Sequence, residues 1–298
     1  MPFSAAELLE RRGYLGASES AAALGLSSFY TPLQLYKSKV DGADPIEETL
    51  PMMVGTALEP TVIRLFEKET GLWVGDRQTP MVDRSVPWRR ATIDGLASDG
   101  GLVEAKTSGQ WSQWGKDEDA IPAAYLYQVH HSFACLPGVR HAWVPVILAQ
   151  REFRVYRVDR DEEMIQLLTA GEAEFMRRVM EKDPPPPQDA DDLKILYPSD
   201  FGTEVVASIE IERAAYDLAN VKVQRKVLEK QEEDLAFHVK EFMKEAALLK
   251  ARDGTLLYTF KAQNRSAIDV TRLRKENPAI ADAFTKESVV RVLLNKIK

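Results

Sequence analysis

Apolar residues recur along this chain at two spacings, and each spacing predicts a different element. Steps of three and four predict helices; alternation, or short runs rich in β-branched and aromatic residues, predicts strands. Leu58, Val62, Leu65 and Phe66 predict a helix over Met52–Thr70, ended by Gly71. Pro60 within it is tolerated only in the first turn or at a kink. Pro122 opens a second helix that runs to about Leu136. Its stripe is Leu126, Val129, Phe133 and Leu136, and Pro137-Gly138 stops it. A third helix covers Asp161–Lys182, and shorter ones cover Ser18–Leu24, capped by Ser18 and stopped by Gly25, and Tyr30 to about Lys39. Strands are expected at Leu72–Val82, Arg90–Ala97, Leu102–Lys106, His141–Leu148 and Glu152–Val158. That order predicts an α/β fold with a mixed central sheet flanked by helices. Asp41–Pro51 reads as a polar loop.

Beyond residue 183 the pattern changes. Pro184–Pro187 is a polyproline spacer, and 203–252 lacks both Gly and Pro. Val221, Leu228, Leu235, Phe242 and Leu249 repeat every seven residues, while the positions three before them are mixed. This predicts a long helix, about 70 Å if unbroken, packed on a partner or on its own domain. The expected organisation is a core over 1–183, a Pro-rich linker over 184–202 and a mainly helical C-terminal extension over 203–298, ending in a strand, a helix capped by Asp269 and a basic tail.

The chemistry concentrates in Thr92–Lys106. Asp99-Gly100 signals a hairpin between Arg90–Ala97 and Leu102–Lys106. A two-residue turn would pair Gly95 with Glu104. A three-residue loop, Ser98–Gly100 with Gly100 left-handed, pairs Asp94 with Glu104, and this is the register expected. Strand parity then puts Asp94, Glu104 and Lys106 on one surface. Two adjacent carboxylates repel unless a cation compensates both, and all-oxygen ligation suits Mg²⁺ or Mn²⁺. A lysine beside such an ion can orient an attacking water or take its proton, which suits phosphodiester hydrolysis. Glu59, on a helix face with Ile63 and Phe66, is expected to be partly buried, as a third carboxylate or paired with an arginine. Trp111 and Trp114 pack on the core or stack on bases. Adjacent His130 and His131 cannot share a helical face and are assigned to packing. Ser18, at a helix start near Arg11 and Arg12, could hold a phosphate.

Composition narrows the setting. The chain has 298 residues, 45% hydrophobic and 29% charged, as expected of a soluble globular protein. No apolar run approaches a membrane span, and Met1–Arg12 has no signal-peptide core, so the expected location is the cytoplasm. The single cysteine, Cys135, excludes an intrachain disulfide and a Cys-rich metal site. Net charge is −7, and residues 1–183 carry 20 Lys+Arg against 27 Asp+Glu. A nucleic-acid channel must therefore be built from local basic patches, such as the excess of basic residues in 261–298.

Five motifs in order resemble the lambda-exonuclease or YqaJ-like phage recombination exonucleases of the PD-(D/E)xK nuclease superfamily. They are Gly16-Ala17-Ser18-Glu19, Gly55-Thr56-Ala57-Leu58-Glu59, Ile93-Asp94-Gly95-Leu96, Glu104-Ala105-Lys106, and Tyr125 with Gln128. Ile93 stands where the family usually has Pro. The resemblance implies a restriction-endonuclease-like core and two metal ions, Mg²⁺ with Mn²⁺ substituting. Asp94, Glu104 and the Ala105 carbonyl would be ligands, and Glu59 the helix-borne third carboxylate. Lys106 would position the water, and Gln128 would orient Lys106 or the scissile phosphate. Ser18 with Arg11 or Arg12 would grip the 5′ phosphate, Tyr125 would border the DNA, and Met52 or Met53 would wedge the duplex end open. It also implies a phage- or prophage-encoded 5′ to 3′ double-strand DNA exonuclease, a ring, often trimeric, and a single-strand annealing partner. An endonuclease of the same superfamily and a non-catalytic DNA-binding or assembly protein on a nuclease fold are the alternatives.

Overall fold

The computed structural model describes residues 9–42, 49–109, 114–115, 121–149, 151–264, 266–286 and 290–297. Two compact units divide the chain, 1–196 and 197–298. The first contains β1 (Leu15–Gly16), a 3-10 turn (Ala17–Glu19), α1 (Ser20–Ala23), α2 (Pro32–Lys37), α3 (Leu50–Thr70), β2 (Val74–Gly75), β3 (Thr79–Val82), β4 (Arg89–Ile93), β5 (Gly95–Ala97), β6 (Leu102–Val103), β7 (Lys106–Ser108), α4 (Ala123–Cys135), β8 (His141–Leu148), β9 (Glu152–Asp159), α5 (Glu162–Glu181) and α6 (Ala190–Leu196). The α/β class with mixed sheets is as the sequence predicts.

The larger sheet runs β2-β5-β6-β8, with β7 and β9 also on β8. β6 and β7 pair parallel to β8 with the same offset, Val103 opposite Trp143 and Lys106 opposite Val146. They are two pieces of one strand, interrupted at Glu104-Ala105. β9 pairs antiparallel with β8. A smaller sheet, β1-β4-β3, adjoins it. The chain passes from the smaller sheet to the larger at Asp94, the residue between β4 and β5.

Side-chain alternation on β8 explains the layers. Ala142, Val144, Val146 and Leu148 join Val129 and Phe133 of α4 and Ile165 of α5 in one core. Trp143 points the other way and meets Phe66 of α3, ring centroids 6.0 Å apart. Helices therefore cover both faces. On β6, Leu102 enters the α4 core, while Val103 packs beside Ile63 and Phe66 of α3. Glu104 and Lys106 share the parity of Leu102 and so face α4.

A buried polar network ties α1, β4, α4 and α5 together. Glu172 of α5, fully buried, accepts hydrogen bonds from Ser20 Oγ at 2.6 Å and Arg89 Nε at 3.0 Å. His131 Nδ1 stands 2.7 Å from Glu172 Oε1, and its Nε2 is 2.9 Å from the Arg90 carbonyl. Burial opposes the charge on Glu172, but His131, Ser20 and Arg89 outweigh it and hold its pKa low. His130 and His131 are both buried, in line with packing roles.

Several sequence expectations change. Leu72–Val82 is not one strand: it splits into β2 and β3 in different sheets, because the chain turns through left-handed Asp76 and Gln78. Ser18 does not cap its helix. Gly16 takes that place, with its N–H donating to Glu19 Oε2 at 2.9 Å, and the segment opens as a 3-10 turn. Pro60 lies well inside α3, which continues through it. Of the expected loop 41–51, residues 43–48 lie outside the described residues, as does Trp111. After Pro184–Pro187 the chain forms α6 inside the expected linker span. Its Asp192 is buried and accepts from Thr31 Oγ1 at 2.6 Å, which anchors it on α2.

The second unit contains α7 (Ile209–Met243), β10 (Leu248–Lys250), β11 (Leu256–Thr259), α8 (Val270–Glu276) and α9 (Pro278–Ala283). The long helix has 35 residues, about 52 Å, rather than spanning 203–252. It stops because Lys244 takes a positive φ of 48° and the chain folds into the β10-β11 hairpin around Gly254. Val221, Leu228, Leu235 and Phe242 of the heptad seam are exposed. No helix among the described residues is long and apolar enough to cross a membrane.

Candidate active site

The hairpin adopts the three-residue loop. Gly95 pairs with Val103 and Leu96 with Leu102, so the same register carries Asp94 opposite Glu104. Gly100 takes φ +85°, left-handed as the loop demands. Gly95 is required by the close approach of β2. A Cβ there would lie 2.3 Å from Val74 Cγ1 and 2.9 Å from the Gly75 carbonyl oxygen. The glycine after the acid thus lets β2 close against β5.

The interruption between β6 and β7 builds the site. Ala105 N–H donates to Asp94 Oδ2 at 2.8 Å, so the second strand of the hairpin fixes the acid of the first. Glu104 is 3% exposed. Its Oε1 accepts from Lys106 Nζ at 2.7 Å and from Gln128 Nε2 at 2.6 Å. Gln128, on α4, also accepts from Lys106 Nζ at 3.0 Å through Oε1. The three side chains form a closed triangle. Tyr125, one turn earlier, places its ring 5.1 Å from Lys106 Nζ and stacks on buried Trp114 at 5.3 Å. Trp114 is therefore a core residue that supports Tyr125.

Glu59 comes from α3 and is half-buried, as expected, but its partner is not an arginine. Gln78 Nε2 donates to Glu59 Oε1 at 2.6 Å and to Asp94 Oδ1 at 3.2 Å. Gln78 escaped the sequence reading because it belongs to no motif; only the folded loop brings it to both acids.

Crowding sets the charge states. Burial, then the Glu104 carboxylate, push Asp94 up to about 8; Glu59 adds to this, while Lys106 and the Ala105 N–H oppose it. Burial alone would lower Lys106, but Glu104 and Asp94 outweigh it and its pKa is raised, which holds it as an ammonium. Among the described residues no three His, Cys, Asp or Glu side chains already stand together as a metal cage. The expected pocket of three converging carboxylates is not closed around one point: Gln78 bridges Glu59 and Asp94, while Lys106 and Gln128 hold Glu104. The donor set nevertheless fits a divalent cation. It is all oxygen, it carries surplus negative charge, and buried Glu104 Oε2 has no hydrogen-bond partner among the described residues.

The other predicted residues lie on different elements. Ser18 is exposed on the 3-10 turn. Arg11 donates to Glu19 Oε1 at 2.8 Å, and Glu19 also binds buried Lys39 at 2.6 Å. Arg12 is exposed, with Nη2 3.4 Å from the Asp41 carbonyl. Met52 and Met53, near the start of α3, are 46% and 51% exposed.

Residues 8–136 match the sequence model of the YqaJ-like viral recombinase domain. The uncharacterized protein YqaJ of Bacillus subtilis (strain 168) is 24% identical over 294 residues, covering 95% of this chain and 91% of its own. Among solved structures, the alkaline exonuclease LHK-Exo of Laribacter hongkongensis is similar at TM-score 0.49 and 20% identity, over 59% of this chain and 92% of its own. A phage related exonuclease from Haemophilus somnus 129PT is similar at TM-score 0.45 and 14% identity, over 57% and 96%. The matched span contains the hairpin, α3 and α4, and with them every residue of the carboxylate–lysine–glutamine constellation: residues 8–136 are similar to the YqaJ-like viral recombinase domain.

Proposed function

We propose that this protein is a metal-dependent double-strand DNA exonuclease that digests 5′ to 3′ and leaves single-stranded DNA for recombination by strand annealing. The observation that carries this reading is the cluster of Asp94, Glu104, Lys106 and Gln128 at a strand interruption, with one buried carboxylate oxygen left unpartnered among the described residues. The viral recombinase description of the matching family supports the recombination role.

In this reading Asp94, Glu104 and the Ala105 carbonyl hold Mg²⁺ or Mn²⁺, and Glu59 contributes to a second ion. A divalent cation bound there supplies Lewis acidity toward a phosphodiester. Lys106, held as an ammonium, positions the attacking water rather than taking its proton. Gln128 fixes Lys106 through its carbonyl oxygen and Glu104 through its amide nitrogen, so the Lys106–Glu104 ion pair is held in one orientation. Tyr125 closes one side over the Lys106 head. Ser18 with Arg11 or Arg12 receives the 5′ phosphate; Arg12 is the more exposed of the two. Exposed Met52 or Met53 splays the duplex end. A trimeric ring reconciles a net charge of −7 with DNA binding, since only its lumen must be basic. A single-strand annealing protein is the expected partner, and the cytoplasm of a bacterial host the expected location.

The test uses linear duplex bearing a 5′ phosphate or a 5′ hydroxyl, and a covalently closed circle, each with Mg²⁺. Shortening of the phosphorylated strand alone, with the circle intact, is the expected result. Cleavage of the circle would replace the exonuclease with an endonuclease. Inertness toward all three substrates would remove the enzyme reading.

A further inference from the structure

We infer that Gln78 is a positioning residue for the outer of two cation sites, holding Glu59 and Asp94 in place before an ion arrives. The inference rests on the nuclease reading above and deepens it.

One amide nitrogen reaches both acids, at 2.6 Å from Glu59 Oε1 and 3.2 Å from Asp94 Oδ1. The amide presents its NH₂, not its oxygen, to the two acids. Glu59 and Asp94 come from α3 and from the β4–β5 junction, and Gln78 links them. The other acid, Glu104, is held separately by Lys106 and Gln128. The constellation thus has an inner half around Glu104 and an outer half around Gln78, with Asp94 in both.

The backbone beneath Gln78 supports a role beyond folding. Gln78 has φ +51°, a left-handed conformation that residues other than glycine, asparagine and aspartate rarely take. Strain of this kind persists where surrounding contacts impose it, and it gathers at functional sites. Here the contacts are visible. Arg77 Nη2 donates to Glu67 Oε1 of α3 at 3.0 Å, and Val74 N–H donates to the same oxygen at 2.9 Å. Thr79 Oγ1 closes the turn on the Asp76 carbonyl at 2.8 Å. The loop is pinned to the helix that carries Glu59, and the pins aim Gln78 at the gap between the acids. A turn built for its own stability would place glycine at this position.

The test is titration of Mn²⁺ into the full chain by calorimetry, for wild type, Gln78→Gly and Gln78→Met, with melting of each in EDTA. Wild type takes up two ions. Both variants keep the tighter ion within about twofold and bind the weaker one at least about tenfold less well, the size expected when a supporting partner of a ligand is lost. Gln78→Gly melts no lower than wild type, because glycine relieves the left-handed strain. Unchanged or tighter binding of the weaker ion, or loss of both ions together, would overturn the role given to Gln78 and leave the nuclease reading standing. Wild type that binds a single ion would also overturn it, and wild type that binds none would sink both.

Discussion

Asp94→Asn is expected to stabilise the cation-free protein at alkaline pH while abolishing digestion. The folded-state pKa of Asp94 is pushed up from 3.8 to about 8, with burial and then the Glu104 charge as the leading causes. The folded state therefore keeps a proton that the unfolded chain releases near pH 4. Between about pH 4 and 8 the folded state binds more protons, so stability is full below that window and falls as pH rises through it. Taken at face value the shift is worth roughly 6 kcal/mol at 1.36 kcal/mol per unit. Water reaches this half-buried carboxylate and the charge is shared with Glu104 and Glu59, so about 2 kcal/mol is the working figure at an effective dielectric near 20. The asparagine side chain keeps an oxygen to accept from Ala105 N–H. In EDTA at pH 8.5 the variant should melt about 4–8 °C above wild type, from roughly 2–4 °C per kcal/mol for a unit of this size. At pH 4 the two should coincide, and Mg²⁺ should raise wild type alone. Circular-dichroism melts across pH 4–9, with EDTA or Mg²⁺, provide the measurement. A variant that melts below wild type in EDTA at pH 8.5, or a pH-independent wild type, would refute the charge-crowding argument.

Three further outcomes follow from particular contacts. Lys106→Ala should abolish digestion and also lower the melting temperature in EDTA, because it leaves buried Glu104 without its ammonium; Mg²⁺ should restore part of the loss, read by the same melts. Glu172→Ala leaves buried His131 Nδ1 without its carboxylate and Arg89 with Asp83 as its remaining acid, and should cost about 3–5 kcal/mol, lowering the melting temperature by about 6–20 °C in calorimetry. Gly95→Ala drives a methyl group into Val74 and the Gly75 carbonyl and should cost about 1–3 kcal/mol. Faster amide exchange at 74–76 would show that β2 has left β5, and unchanged protection there would refute the close-approach argument.

Much of the core was legible because its periodicities are long and local. The α4 stripe, the β8-β9 pair and a turn at Asp99-Gly100 follow from side-chain spacing and turn chemistry, but two loop lengths were open, and the register of the folded hairpin decided which face Asp94 takes. Boundaries failed where non-local contacts decide them. Nothing in Leu72–Val82 announces that its halves serve different sheets, and a Gly-free, Pro-free run cannot reveal that Lys244 will end a helix early.

The sequence by itself indicated the α/β class and, once the three-residue loop is chosen, the shared surface of Asp94, Glu104 and Lys106, since strand parity is a property of neighbouring residues; it left the partner of Glu59 open. The tertiary structure alone decided how those acids are held. Gln78 reaches Glu59 and Asp94 only after β2 and β3 part and the loop between them is fastened to α3. His131 and Glu172 meet only when α4 and α5 pack. These contacts join residues distant in the chain, and their energy depends on burial and on neighbouring charge, quantities that exist only once the chain has closed on itself.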